Sequence, residues 1–536
     1  MRVLGRIFLT IFISFLMSVS VGASSKGRIL LIPLDDRPPC LQMPVKMGAI
    51  GGLEVVTPPR LLLGRFTEFG NSDEIVAWIR KQNIKSFDAA IVSLDMLAFG
   101  GLVASRVGTS ASLREAQGRI EILKELRKTT PTLPIYGSSV IMRLAPSADG
   151  KNESYRVNLA RWAEISPESN DASLVKETLE LEKKIPGEAL KDYKSARARN
   201  LSINMMALNL VKQGVIDYLI LSQDDAKPRG VHVADREGLI SEIKSLSLEE
   251  RVAVQPGADE VSMLLLSRAH SRIVSYRPKV KAIYSSLESA EKIMPYEDRP
   301  MRRTVSFHIK ASGGTEVESI QSAEILFFVF ADRGRADVTL QFTEKIEELI
   351  RQYPTKRIII ADVDPKGDIQ GGDVTFTESV RQRGIFRFLS GYAAWNTAGN
   401  TIGTALPHGI IFSGAIRKSR SRIMRNRVER AQIWFLLNRL IDDYVYHSIV
   451  RPESISYAKS KGWNVFRFTD VETREVENFS AEKVLSRLDE YRKSVETLRG
   501  SAVVCDRVED PRFILPWGRT FEAEIEFTLA CRTKLK

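Results

Sequence analysis

The sequence predicts an α/β protein built from repeated βα units. Two observations predict this class. From about residue 28 to residue 400, short β-branched or apolar runs alternate with longer stretches whose apolar residues recur at three- and four-residue spacing, which is typical of amphipathic helices. Many of the short runs are also followed at once by polar clusters, as strands of a parallel sheet are followed by loops.

The individual elements follow from the same patterns. Strands are predicted at residues 29–34, 54–57, 89–94, 133–137, 218–222, 252–255, 280–284, 325–330 and 357–361. Helices are predicted between them, at residues 73–82, 113–128, 203–213, 237–245 and 343–352. This number of strands fits either a (β/α)8-barrel-like core or two tandem open α/β domains, and the many polar strand ends favour the barrel.

The chain divides into a leader, a core and a C-terminal part. Residues 1–23 have the order of a signal peptide: Arg2 and Arg6, an apolar run at 7–21, and a small-residue exit at Ala23. We therefore expect an exported protein, periplasmic or secreted, with no transmembrane segment after cleavage. An α/β core is predicted at 27–416 with a helical insertion at 152–199, and a small α+β domain at 417–536 whose last strand alternates apolar and acidic residues from Phe521.

Charge and cysteine content limit the partners and cofactors. The formal charge is +12, which suits an anionic polymer or simple solubility, while export argues against nucleic acid. Three cysteines exclude a disulfide framework, and the sequence leaves open whether Cys505 and Cys531, both in the C-terminal segment, pair in an oxidising compartment. No CxxC motif and no close His pair is present, so we predict no metal and no cofactor. The sequence leaves the oligomeric state open.

The first candidate cluster follows the first strand. Asp35, Asp36 and Arg37 are followed by Pro38 and Pro39, which stiffen the loop. Two carboxylates and a guanidinium at a strand end suit bidentate binding of sugar hydroxyls. The alternative is an internal Asp–Arg pair that only shapes the loop.

Two acidic pairs are candidates for proton transfer. Asp224 and Asp225 follow a strongly apolar strand, and neighbouring carboxylates push their pKa values apart, so that one stays protonated as an acid. Asp259 and Glu260 follow the next strand and form a rival pair. The alternatives are a turn or helix cap for the first pair and helix-dipole stabilisation for the second.

Further candidates for substrate binding lie behind other strands. Asp95 and Arg143 each follow a strand-like run, and Trp395, Asn396 and Asn400 combine an aromatic face with amides, as sugar pockets do. The alternative for this last group is a buried Trp with capping Asn residues. An Asp-rich glycine loop carries Asp362, Asp364 and Asp373. Such a loop can bind a cation, so a metal-dependent hydrolase or lyase is a possible function beside the two described below.

Several motifs together resemble a known bacterial family. They are Pro33-Leu34-Asp35-Asp36-Arg37-Pro38, Gln223-Asp224-Asp225, Gly257-Ala258-Asp259-Glu260, Trp395-Asn396-Thr397-Ala398-Gly399-Asn400 and Leu515-Pro516-Trp517-Gly518-Arg519-Thr520-Phe521-Glu522. Over nearly the whole mature chain the sequence resembles the domain of unknown function 4127 family. That resemblance implies no activity.

A weaker similarity, at the level of one motif, is to the barrel hexosaminidases. In those enzymes the first of two neighbouring acids orients the acetamido group of the substrate and the second protonates the leaving oxygen. We therefore expect an exported glycoside hydrolase-like enzyme acting on a carbohydrate, with Asp225 as general acid, Asp224 as its partner, Asp35 and Arg37 binding hydroxyls, and Trp395 with Asn396 as a sugar platform. The alternative is a non-catalytic carbohydrate-binding or cell-envelope protein.

Overall fold

The computed structural model describes residues 27–368 and 370–534. The predicted signal peptide at 1–23 lies outside the described residues.

The N-terminal half is a sheet of six parallel strands in the order β2-β1-β3-β4-β5-β6. Its strands are β1 (Gly27–Ile32), β2 (Leu53–Val56), β3 (Ala89–Ser93), β4 (Ile135–Ile141), β5 (Tyr218–Gln223) and β6 (Val252–Pro256). Every residue of β3, β4, β5 and β6 is buried. Continuous apolar runs of this kind are what strands covered by helices on both faces require.

The second sheet has five parallel strands in the order β11-β10-β9-β7-β8. They are β7 (Lys279–Tyr284), β8 (Thr315–Glu316), β9 (Ile325–Phe330), β10 (Arg357–Asp362) and β11 (Leu389–Ala393). The described strands thus form two open sheets, and the closed barrel that the polar strand ends favoured is not found. Both arrangements share the same βα alternation, which is why the sequence pattern did not separate them.

Helices connect the strands within each sheet. Around the first sheet lie α1 (Gln42–Ile50), α2 (Ser72–Arg80), α3 (Leu94–Phe99), α4 (Leu102–Ser105), α5 (Leu113–Ile120), α6 (Ile122–Thr129), α7 (Glu153–Ile165), α8 (Ala172–Lys184), α9 (Gly187–Lys212), α10 (Val231–Ser245) and α11 (Val261–Ile273). Around the second lie α12 (Leu287–Glu291), α13 (Met301–Ala311), α14 (Ala336–Gln352), α15 (Val374–Gln382) and α16 (Ala398–Lys418). The lysine- and glutamate-rich stretch at 152–199 is helical, as predicted, and forms α7, α8 and the first half of α9.

The C-terminal part is helical and ends in a hairpin. Its helices are α17 (Arg422–Arg439), α18 (Arg451–Ser460), α19 (Asp470–Leu485) and α20 (Leu488–Val495), and a π-helical segment, Leu440–Val450, joins α17 to α18. The antiparallel strands β12 (Val503–Ile514) and β13 (Glu524–Thr533) follow, and they place Cys505 directly opposite Cys531. These two cysteines form a disulfide, whereas Cys40 is free and buried.

One apolar core joins both sheets to the C-terminal part. It contains Ile29 and Ile220 from the first sheet, Phe328 and Ile360 from the second, and Phe435 from α17. The relative position of the two sheets is therefore fixed by hydrophobic burial. In the described part of the chain, no helix combines the length and the apolar character that crossing a membrane takes.

Candidate functional site

A cleft of about 370 Å³ lies where the carboxyl ends of the two sheets meet. Residues that follow β1, β4, β5 and β6 form one wall, and residues that follow β10 and β11 form the other. Parallel α/β sheets bind ligands at this edge because the loops behind their strands converge there. A third wall comes from the C-terminal part: Arg451, Phe466, Trp517, Arg519 and Phe521.

Arg37 holds the floor of the cleft together. Its guanidinium donates to Asp35 at 2.7 Å and to Asp259 at 2.6 Å, and lies 3.6 Å from Glu522. It also stacks on the Trp517 ring at 4.7 Å. Burial raises the pKa of Asp259 to about 7 although Arg37 pulls it down, and Asp35 and Asp224 add to the increase. Asp259 therefore faces the cleft with a carboxyl that titrates near neutral pH.

Asp35 and Asp36 lie behind the cleft and do not line it. Asp35 is 1% exposed and its carboxylate is used by Arg37, and Asp36 is 3% exposed. Asp36 accepts the indole N–H of Trp517 at 2.6 Å and pairs with Arg60 at 3.2 Å. The prediction that both bind substrate is corrected here, because protein partners occupy both carboxylates. Their loop fixes Arg37 and Trp517 instead.

Asp224 and Asp225 lie side by side in the cleft, directly after β5. Arg106 pairs with Asp224, and Arg143 pairs with Asp225 and lies 3.9 Å from Asp224. Burial alone would raise the pKa of Asp224, but Arg106 and Arg143 outweigh it and lower that pKa. Burial raises the pKa of Asp225, and the neighbouring charge of Asp224 adds to the increase against the pull of Arg143. The two pKa values move apart, as the sequence argument requires of an acid and a charged partner.

Backbone strain is concentrated around the cleft. Four non-glycine residues in its wall have φ in the left-handed region: Asp225 (44°), Tyr296 (65°), Gln370 (59°) and Asn396 (59°). Such conformations cost about 1 kcal/mol or more each and persist where the surrounding structure enforces them, often at functional sites. This clustering is independent of the charges and marks the same place.

Glu260, the partner of Asp259 in the predicted second acidic pair, points away from the cleft. It is fully buried and lies 3.4 Å from the Nε2 atom of His308. Gly257 has φ of 98°, and a Cβ at that position would lie 2.0 Å from the Glu260 carboxylate. Glycine is therefore required here, and of the pair only Asp259 reaches the cleft.

Asp95 and Trp395 are also buried elements of the protein. Asp95 accepts the backbone N–H of Val140 at 3.0 Å, and burial raises its pKa to about 7. Trp395 is 4% exposed and donates its indole N–H to Thr404 at 3.0 Å. The prediction that Trp395 forms a sugar platform is corrected here, because its side chain is buried. The aromatic rings that line the cleft are those of Tyr296, Phe466, Trp517 and Phe521.

Arg143, Asn396 and Asn400 line the cleft, and their binding of a substrate stays a prediction. The Oδ1 atom of Asn400 is buried and accepts no hydrogen bond from any described residue. A buried acceptor without a partner is costly, so this atom is suited to a hydroxyl or amide N–H of a ligand.

Several residues of the cleft were not among the predicted site residues. Arg106 directly follows α4, Arg156 lies in α7, and Arg451 begins α18. Trp517 and Arg519 belong to the motif at 515–522, which therefore carried a signal for the site. Glu522, which the alternating pattern placed in the last strand, precedes that strand: β13 begins at Glu524, and Glu522 is 4% exposed and pairs with Arg519.

The aspartates proposed as an alternative metal site have protein partners. Arg333 lies 3.5 Å from Asp364 and 3.8 Å from Asp373, and Asp362 accepts the backbone N–H of Asp373 at 2.7 Å. Asp373 also caps α15 through the backbone N–H of Phe376. Within the described part of the chain, no group of three or more His, Cys, Asp or Glu residues is placed to hold a metal ion. The metal-dependent alternative therefore has no support in the geometry.

Comparison with known proteins gives one result. No curated protein matches the chain. A family model described as protein of unknown function (DUF4127) matches residues 29–526, which include every cleft residue named above, so the chain belongs to the DUF4127 family.

Proposed function

We propose that this protein is an exported glycoside hydrolase-like enzyme that cleaves a carbohydrate by carboxylate acid–base chemistry. The observation that carries the proposal is the Asp224–Asp225 pair, two adjacent carboxyls in one cleft whose pKa values move in opposite directions. Divergent pKa values separate the roles of acid and charged partner.

Asp225 is the group suited to protonate the leaving oxygen. Its side chain is 32% exposed, whereas that of Asp224 is 10% exposed, so Asp225 is the more accessible to a bound glycan. Its raised pKa keeps a larger protonated fraction at a given pH than an ordinary Asp has. In the proposed step, the Asp225 carboxyl gives its proton to the glycosidic oxygen as the bond from that oxygen to the anomeric carbon breaks.

Asp224 stays charged and has a fixed orientation between Arg106 and Arg143. A fixed carboxylate beside the acid suits a substrate with an N-acetyl group, whose amide N–H it orients so that the acetyl oxygen attacks the anomeric carbon. Water then attacks the anomeric carbon, breaks its bond to the acetyl oxygen and gives a proton back to the Asp225 carboxylate. The Tyr296 ring and the free acceptor of Asn400 supply an apolar face and a hydrogen bond for the sugar.

Export is part of the proposal. The charged, apolar and small-residue order of residues 1–23 supports it, as does the Cys505–Cys531 disulfide, because disulfides persist mainly in oxidising compartments.

The test is release of reducing ends from a panel of glycans, N-acetylated ones included, by the mature protein and two variants. Asp225→Asn removes the proposed acid. Asp217→Asn is the matched control, because Asp217 precedes the same strand at its other end, pairs with Arg127 and has a side chain 37% exposed. We expect turnover by the mature protein and by Asp217→Asn only, and equal turnover by both variants would refute the role of Asp225.

A second candidate, a carbohydrate-binding protein without catalysis, is favoured by one observation. Each carboxylate of the cleft, Asp224, Asp225 and Asp259, contacts an arginine, an arrangement that suits fixed acceptors for hydroxyls. This candidate predicts that a glycan of the panel binds tightly to the unaltered protein and is recovered uncleaved.

A further inference from the structure

The cleft has an excess of positive side chains. Six arginines line it, against three carboxylates, Asp224, Asp225 and Asp259. The arginines are Arg37, Arg106, Arg143, Arg156, Arg451 and Arg519. Asp35, Asp36 and Glu522 lie behind the wall, so the excess is one of the side chains that line the cleft. Burial raises the pKa of Asp259 to about 7, so its negative charge is incomplete at neutral pH. A neutral sugar does not require an excess of positive side chains in the cleft that binds it.

The excess positive charge at the outer wall of the cleft is that of the Arg156 side chain. It lies in the second turn of α7 with its guanidinium 5.9 Å from the centre of the Phe466 ring. No carboxylate in residues 27–368 or 370–534 forms an ion pair with it, whereas Arg37, Arg106, Arg143 and Arg519 each have one. A guanidinium on an aromatic face keeps its five N–H donors in one plane, which is suited to a planar or tetrahedral oxyanion.

Two helix N-termini lie on the inner side and favour negative charge, and at one of them the Glu297 carboxyl already accepts the Gly399 N–H of α16 at 2.8 Å. The 21-residue helix α16 begins at Ala398, and its cap Thr397 and first-turn Asn400 both line the cleft. Helix α11, of 13 residues, begins at Val261, directly after the cleft residues Ala258 and Asp259. The amino end of a helix favours negative charge by about 0.3–1 kcal/mol at exposed sites.

We infer that the carbohydrate bound in this cleft is an acidic one, whose oxyanion is recognised by Arg156 at the outer wall. The inference rests on the proposed function for the sugar, while the charge itself follows from the arginines and the helix ends. Carboxylate, phosphate and sulfate groups share the chemistry that this wall recognises.

The experiment measures binding of four related sugars by saturation-transfer NMR and titration: glucose, glucuronate, glucose 6-phosphate and glucose 6-sulfate. The protein, Arg156→Gln and Arg351→Gln are compared. Arg351 is an exposed helix arginine far along the chain, with 68% of its side chain exposed, and its replacement changes the net charge by the same amount. We expect at least one acidic sugar to bind about tenfold more tightly than glucose, and Arg156→Gln alone to abolish that preference. The acidic sugar that binds most tightly also identifies which oxyanion is recognised.

Equal affinity for glucose and the acidic sugars, failure of all acidic sugars to bind at millimolar concentrations, or an unchanged preference in Arg156→Gln would overturn the inference. Thermal unfolding of each variant shows whether the fold is intact. The outcome is separable from that of the hydrolysis test, since Asp225→Asn is expected to lose cleavage and to keep the preference for acidic sugars.

Discussion

At the scale of single residues, the cleft is organised by Arg37, whose side chain is 5% exposed and contacts three carboxylates. Replacing it leaves Asp35, Asp259 and Glu522 buried without their cation. We expect Arg37→Ala to lower the free energy of unfolding by about 3–5 kcal/mol, because breaking a buried ion pair leaves an uncompensated charge. Urea unfolding measures this change.

The matched control for that prediction is Arg80→Ala. Arg80 pairs with Glu125 at 2.8 Å, but both side chains are at least half exposed. An exposed pair is worth about 0–1 kcal/mol. Similar small losses in both variants would show that Arg37 does not hold the cleft together.

Asn400 gives a second prediction at this scale. Because its Oδ1 atom accepts no hydrogen bond from the described residues, Asn400→Ala is expected to leave the unfolding temperature nearly unchanged and to weaken glycan binding by roughly 3- to 10-fold. The control Asn204→Ala is expected to do the opposite, lowering the unfolding temperature and leaving glycan binding nearly unchanged. Asn204 donates to Ser139 at 2.8 Å and to Val140 at 3.2 Å inside the protein. A large loss of stability in Asn400→Ala would contradict the assignment to ligand.

The sequence predicted which loops form the site better than which side chains face it. Polar residues behind apolar strands indicated the loops that carry Arg37, Arg143, Asp224 and Asp259, and these loops converge on one cleft. Their binding of a substrate stays a prediction. It could not show that Asp36 is used by Trp517, because that hydrogen bond joins residues 481 positions apart. Only the folded chain brings them together, and the same holds for Arg451 and Arg519.

At the scale of secondary structure, strongly apolar runs were predicted well. Strand β9 occupies the residues predicted for it, and β5 and β10 extend one residue further. Strand β11 was missed because its sequence, Leu-Ser-Gly-Tyr-Ala, contains a single large apolar residue and a glycine. Gly391 is required there, since a Cβ would lie 2.4 Å from the backbone oxygen of Ala405 in α16. Close packing between a strand and a helix has no signal in a period-2 or period-3.6 pattern.

The C-terminal hairpin carries a prediction about its disulfide. With Cys505 bonded to Cys531 across β12 and β13, the denatured mature protein is expected to show one reactive thiol, that of Cys40, and three after reduction. Closing a loop with a sequence separation of 26 residues is worth about 3.5 kcal/mol in the chain-entropy account. Reduction is therefore expected to lower the unfolding temperature, and three thiols before reduction would refute the bond.

At the scale of the whole molecule, buried carboxyls give stability a definite pH dependence. Burial raises the pKa of Asp95, Asp259, Asp362 and Asp443 to about 7 and that of Glu297 to about 8. Above the ordinary pKa of a carboxyl, near 4, the folded protein binds more protons than the unfolded chain, so stability falls as pH rises through these folded values. The buried histidines with lowered pKa act in the opposite direction, but only below about pH 6.5.

Between pH 6.5 and 8.5 the carboxyls therefore dominate. We expect the free energy of unfolding to fall by at least about 2 kcal/mol over this range, because one pKa unit corresponds to about 1.4 kcal/mol. Chemical unfolding at several pH values measures the slope, and Glu297→Gln is expected to reduce it. A free energy of unfolding that stays constant or rises over this range would contradict the raised pKa values of these buried carboxyls.

The two sheets and the C-terminal part meet at one cleft, and no single segment contains the site. The alternation of strands and helices is the same in one barrel and in two sheets, so it could not decide between them. In both arrangements the loops at the carboxyl ends carry the polar residues. The α/β class and its parallel strands were predicted, and of the two arrangements left open the structure has two sheets.

The central claim is that Asp225 protonates the leaving oxygen, and the most direct test varies the leaving group. The rate of Asp225→Asn relative to the unaltered protein is measured on an unactivated oligosaccharide of the cleaved type and on its 2,4-dinitrophenyl glycoside, whose leaving group needs no proton. We predict a loss of about 10²–10⁴-fold on the oligosaccharide, the usual contribution of a general acid, and a much smaller loss on the dinitrophenyl glycoside. An equal loss on both substrates, or no loss on either, would contradict the account.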